Sequence, residues 1–294
     1  MRNQKHLQLF RRSTRLDRDD TAEGLRGYIP TPRGLELLGQ LLDALASNDY
    51  KAFSVTGPYG SGKSSFAVFL SALFEPQTSP AFEAAFALLK AESGAMADSV
   101  QSMRDRFGVS QCGFVVLKIT AKRAPLLSIL REALASSLDQ LAGLEDVEVR
   151  VREMLASERV EEHDIVNTLK VICDNRPLLL CIDEFGKALE WFSEHRSSEG
   201  DLYALQQLIE QSENNNRNPL ALITLQHLAF DDYAADAAAL RQREWAKIQG
   251  RFRDFPFSDS SHTTGFLMAR CLQNLDFDQP ANAPEVLVIH SLLG

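Results

Sequence analysis

No Cys-x-x-Cys pair occurs in this sequence, and its four cysteines, Cys112, Cys173, Cys181 and Cys271, are scattered through 294 residues. A disulfide-stapled scaffold and a thiolate metal module are thereby excluded, and the cysteines read as small buried hydrophobes in a reducing compartment. Also missing is any run near the roughly 18 apolar residues that a membrane span needs. The first twenty residues, MRNQKHLQLFRRSTRLDRDD, carry charge without the apolar segment of a secretory leader. The expectation is a cytoplasmic protein with no membrane partner. His-Glu-x-x-His and Gly-x-Ser-x-Gly are absent, so neither a zinc hydrolase nor a serine nucleophile elbow is indicated. The six histidines are isolated from one another and read as surface or core residues.

An excess of positive charge is lacking too: 31 basic residues face 40 acidic ones, for a net charge of −9, which argues against sequence-blind coating of nucleic acid. The exception is local. Arg2, Lys5, Arg11, Arg12, Arg15 and Arg18 oppose only Asp17 within the first 18 residues. With 45% hydrophobic and 24% charged residues the chain has the composition of a folded globular protein, long enough for one large α/β domain with an appendage.

Residues 1–27 read as a basic, flexible arm, and the folded domain is expected from Tyr28 to about 260. Helical apolar spacing over 35–46 leads into KAFSVTG at 51–57, an apolar run ending in glycine. Phe66, Phe69, Leu70, Leu73 and Phe74 then recur at helical spacing. The stretch 75–111 reads as a helical insertion broken at Gly94 and Gly108. GFVVLKIT (113–120), PLLLCIDEF (177–185) and PLALITLQ (219–226) are apolar without alternation, the mark of strands covered by helices on both faces. FRDFPFS (252–258) is a fifth candidate, which Pro256 sends to an edge or ends early. Five strands alternating with helices give a doubly wound, three-layer α/β/α sandwich around a mostly parallel sheet. The tail 261–294 is too short for a complete second domain and reads as a partial helical lid or the start of a further domain, so a fragment or an N-terminal module is expected.

Gly57-Pro58-Tyr59-Gly60-Ser61-Gly62-Lys63-Ser64, followed by Ser65, satisfies G-x-x-x-x-G-K-[ST] and lies between a strand and an amphipathic helix. The glycines let backbone N–H groups approach and face a polyphosphate, and the helix that follows aims its positive end at the same anion. Lys63 would reach the outer phosphates and Ser64 would complete a Mg²⁺ shell. A second signal lies downstream, where Asp183 and Glu184 follow five apolar residues. In a parallel sheet, strand C-termini line the ligand crevice. Asp183 suits a direct or indirect Mg²⁺ contact, and Glu184 suits a base or an orienter of water. Asn-Lys-x-Asp and an LSGGQ-like signature do not occur, which argues against guanine recognition and a transporter ATPase.

GPYGSGKSS and LLLCIDE resemble the Walker A and Walker B motifs of P-loop ATPases of the AAA+ and STAND type, particularly the origin-recognition-like branch and ATPases of prokaryotic mobile-element and defence systems. The resemblance spans roughly 28–260. It implies a sheet in the order 5-1-4-3-2, ATP with Mg²⁺, and oligomers or larger complexes in which one subunit completes its neighbour's site. By the same resemblance, Thr224 or Gln226 would sense the terminal phosphate. Arg251 would be an arginine finger, with Arg253 or Arg243 as substitutes, and Tyr28 and Ile29 would border adenine. Arg270 is the one nearby candidate for a second sensor arginine. A β-branched packing role for Thr224, a solvated basic face over 241–253, and a packing role for Trp245 stand beside these readings.

Three functions share these residues: an ATPase that couples hydrolysis to assembly or remodelling of a partner, a slow nucleotide-binding switch or adaptor, and a small-molecule kinase, which ordinarily lacks the distant acidic pair. DNA as a partner rests only on the basic arm and the 241–253 cluster.

Overall fold

The strands β1 (Ala52–Thr56), β2 (Val115–Thr120), β3 (Leu178–Asp183), β4 (Leu220–Gln226) and β5 (Arg253–Pro256) form one sheet in the order β2-β3-β4-β1-β5, and each neighbouring pair is parallel. This is the order 5-1-4-3-2 read from the other side. The computed structural model describes residues 14–258 other than 17, 19, 20, 48, 196–198, 214–217 and 235–238, together with Gly265. The expected tail at 261–294, with Arg270, falls outside them but for that glycine.

Every residue of β3 and β4 is buried, which is why neither strand alternates in sequence. Helices α1 (Pro32–Ala46), α2 (Lys63–Phe74), α3 (Pro80–Glu92) and α4 (Gly94–Arg106) cover one face, packing on Phe53, Val55, Leu179, Cys181, Ile223 and Leu225. On the other face, α5 (Leu126–Ala135), α6 (Glu145–Ala156), α7 (Glu162–Asn175), α8 (Gly186–Glu194), α9 (Glu199–Glu213) and α11 (Ala239–Gln249) pack on Leu178, Leu180, Ile182, Leu220 and Leu222. The short α10 (Phe230–Ala234) connects β4 to α11. Helices on both faces of the sheet make a three-layer α/β/α sandwich.

The helices carry local signals of their ends. Thr31 caps α1 by accepting from the Gly34 amide at 3.0 Å, with Pro32 in the first turn, and Ser79 and Pro80 do the same for α3. The 75–111 insertion is α3 and α4, anchored by the fully buried Arg104. Its guanidinium donates to the carbonyls of Leu73 (3.1 Å) and Glu75 (2.9 Å), satisfying the C-terminal end of α2. β5 is an edge strand that stops at Pro256, so both consequences of that proline are realised.

One boundary differs from expectation. Leu16 and Leu25, inside the stretch read as a flexible arm, are buried in the core beneath α1 and α2, and the Thr14 hydroxyl lies 2.9 Å from that of Ser65. Among the described residues the packed unit reaches back to Thr14. Two leucines, twelve and three residues before Tyr28, bury apolar surface that outweighs the charge around them.

Candidate functional site

Because all strands run the same way, the residues that follow them share one edge of the sheet: Gly57 after β1, Glu184 after β3, His227 after β4 and Phe257 after β5. Backbone bonds beyond the strands pin these ends together. The Gly57 amide donates to Gln226 O (3.2 Å), Phe185 to Leu225 O (2.9 Å) and Phe257 to Thr56 O (2.6 Å).

Gly60 and Gly62 have φ of +79° and +87°, a region in which side chains are strained. Gly57 is required for a different reason, since a Cβ there would run into the Phe257 carbonyl oxygen. The loop Gly57–Gly62 is thus a tight turn that delivers Lys63, the first residue of α2, into a buried position. Its ammonium donates to the carbonyls of Gly57 (2.6 Å) and Pro58 (2.9 Å) and approaches the Ser61 hydroxyl at 3.4 Å. Burial pulls the Lys63 pKa down, and the charge of Asp183 opposes that.

Asp183 ends β3 on the face that carries α2, following Leu179 and Cys181 in the alternation. It is 4% exposed. Burial raises its pKa; the Ser64 hydroxyl, the Glu184 amide (2.8 Å) and Lys63 each favour the anion, whereas the charge of Glu184 disfavours it. Lys63, Ser64 and Asp183 therefore meet at one point. Glu184 follows with φ +52°, a conformation costing on the order of 1–3 kcal/mol in a residue with a side chain. Its half-buried carboxylate pairs with Lys187, the second residue of α8.

The structure separates the remaining candidates from this point. Thr224 and Gln226 alternate with Leu225, which puts them on the opposite face of the sheet from α2. The Thr224 hydroxyl donates to Phe53 O at 3.3 Å, and the Gln226 amide donates to the Ser54 hydroxyl at 3.0 Å. Both are fully buried, and Gln226 Oε1 has no partner among the described residues. Arg251 precedes β5, at the far edge of the sheet, where it pairs with Glu210. Four to five residues of strand at about 3.3 Å each put roughly 15 Å between that edge and the loop. Arg253 pairs with Asp49 at 2.7 Å on the same far edge, and Arg243 is exposed on α11. Tyr28 packs on Phe69 with ring centroids 5.0 Å apart, Ile29 is half-buried, and Trp245 is a core residue beside Phe230.

His227 is what the sequence reading missed. Rather than a surface or core histidine unrelated to the loop, it lies against Tyr59, with ring centroids 3.3 Å apart and the planes tilted by 34°, and it faces the Gly57 main chain. Burial, then the Lys63 ammonium, lowers its pKa, while Glu184 and Asp183 act in the other direction. Its Nδ1 is buried without a partner among the described residues. The available signal was position: 227 shares parity with 223 and 225, the face of α2.

No cluster of three or more His, Cys, Asp or Glu side chains able to hold a metal occurs among the described residues, and no described helix is long and apolar enough to cross a membrane. No protein-family model matches the chain, and no curated protein matches it. Among solved structures it has a distant likeness to the Aeropyrum pernix ORC2 protein in its ADPNP–ADP complexes. Identity is 16% and the TM-score 0.43, over 84% of this chain and 54% of that one. The chain thus spans about half the length of that protein, and at this score the likeness bears on neither activity nor partners.

Proposed function

We propose that the protein binds ATP with Mg²⁺ at residues 57–65 and hydrolyses it, coupling nucleotide state to the assembly or remodelling of a protein or nucleoprotein partner. The observation that carries this reading is the meeting of Lys63, Ser64 and Asp183 at the end of a glycine loop. A buried ammonium, a glycine loop and a helix N-terminus form an environment for a polyphosphate. The hydroxyl of Ser64 and the Asp183 carboxylate beside it make a pair of hard oxygen ligands. That fits Mg²⁺, which takes one or two protein oxygens and completes its shell with phosphate and water. When bound, the cation supplies charge neutralisation at the phosphate oxygens.

In this reading Lys63 exchanges the carbonyls of Gly57 and Pro58 for phosphate oxygens, Asp183 stays ionised beside it, and Glu184 orients the attacking water and accepts its proton. Thr224 and Gln226 serve the site by fixing β4 against β1. The phosphate-facing place at the end of β4 belongs to His227. Arg251 acts on a neighbouring subunit in a homo-oligomer. A prokaryotic defence role and DNA association stay family-level proposals.

A slow-turnover switch is the second reading, favoured by the Glu184–Lys187 and Arg251–Glu210 pairs, which engage both reactive groups elsewhere. Turnover of wild type beside Glu184→Gln tests the choice. Mg²⁺-dependent hydrolysis lost in the variant supports the ATPase, whereas equal turnover removes Glu184 from its role.

A further inference from the structure

Lys63 donates to the carbonyls of Gly57 and Pro58 within the phosphate loop, and the imidazole of His227 faces the Gly57 main chain. Tyr59, in the middle of the loop, is 80% exposed, yet its ring lies on His227. With so little buried, the imidazole is the contact that holds this ring in place.

We propose that Tyr59 and His227 form a latch that holds the nucleotide-free loop closed, so that a nucleoside triphosphate must part the two rings to enter. The proposal rests on the nucleotide reading of the site and names its gate. Tyr59 and His227 are positioning residues here. Opening the latch releases Gly57 O and lets the imidazole N–H of His227 turn from it to the incoming phosphate.

Contacts beyond the latch carry its state onward. The Tyr233 hydroxyl meets the main chain of His227 and Leu228, and it sits so close to Gly186 that no Cβ fits there. Gly186 is two residues past Glu184 and adjoins Lys187, the partner of that carboxylate. Such packing leaves little slack, so a shift of His227 is transmitted to the turn that holds Glu184.

A closed loop lowers apparent affinity by the fraction of molecules that are open. One aromatic pair corresponds to about a fivefold change in that equilibrium. The test is stopped-flow binding of a ribose-labelled fluorescent ATP, with Mg²⁺, to the full chain. Tyr59→Ala is expected to tighten binding about fivefold, mainly through faster association. His227→Ala is expected to speed association likewise but also to speed dissociation, because it loses the phosphate contact of the imidazole, and the double variant associates no faster than either single one, because a latch is broken once. Tyr59→Phe, which keeps a ring over the imidazole, is expected to restore the slow association. Exposure of Tyr59 means the fold does not depend on it, and an unchanged melting temperature checks that. Association that is unchanged or slower in Tyr59→Ala, while wild type binds ATP, overturns the latch and leaves the nucleotide site standing. Absence of any ATP binding by wild type overturns both.

Discussion

The hydroxyl of Ser64, one residue into α2, lies beside the carboxylate of Asp183 at the end of β3 and favours its anion, although 119 positions separate them in the chain. That proximity joins the glycine loop to the acidic strand end and makes a single site of two distant motifs. It also holds an acid that burial disfavours. An ionised carboxylate at this depth costs stability, which is tolerable only where its charge is used.

Replacing that acid separates stability from function. Asp183→Asn keeps an oxygen for Ser64 and the Glu184 amide while removing the buried charge. The melting temperature of the nucleotide-free protein is therefore expected to rise, by about 2–4 °C for each kcal/mol recovered. The same variant should lose Mg²⁺-dependent ATP binding. The sign follows from the raised pKa: the penalty is present above the folded pKa of Asp183 and is relieved as pH falls through it, so the gap between variant and wild type narrows in acid. Calorimetry at several pH values measures it.

Lys63→Ala is expected to abolish the thermal shift produced by MgATP. Ligand at 100 times its dissociation constant stabilises by about 2.7 kcal/mol. A shift that survives in the variant counts against the phosphate loop as the binding element.

At Glu184 the backbone and the carboxylate are separable. Glu184→Gly and Glu184→Ala both remove the carboxylate and should reduce turnover alike. With φ +52°, glycine meets no steric penalty where alanine does. The glycine variant is expected to be the more stable of the two by about 1 kcal/mol, read from denaturant midpoints.

His227 predicts a pH dependence. Its folded pKa lies below the ordinary 6.5, so the unfolded chain takes up the proton first. Its contribution is complete above about 6.5 and is lost as pH falls through the folded value. Subtracting the melting curve of His227→Asn from that of wild type between pH 8 and 5 should show wild type losing stability faster on acidification.

Arg251 pairs with Glu210 at the far edge of the sheet, so any action on phosphate has to be on a second copy. Mixing Arg251→Ala with Lys63→Ala, each inactive alone, is expected to restore part of the turnover. No recovery at any concentration assigns Arg251 to the Glu210 pair alone.

Much of this was readable from residues in order. The octapeptide 57–64 is a local device: its glycines, lysine and serine are needed within one turn between a strand and a helix, so their spacing carries the geometry. Residues 178–184 are equally local, since a wholly apolar run ending in two acids can only be a covered strand opening at its polar end. What sequence order could not supply is which side of a strand matters when both sides are apolar. In β4 every residue is buried, so polarity marks no face, and Thr224 and Gln226 look as eligible as His227. Only packing against β1 and α2 separated them, by turning Thr224 to Phe53 O and His227 to Tyr59. The burial of Leu16 and Leu25 and the far-edge position of Arg251 have the same origin. Each is a relation between segments remote in sequence, and it exists only once the sheet has closed over its core.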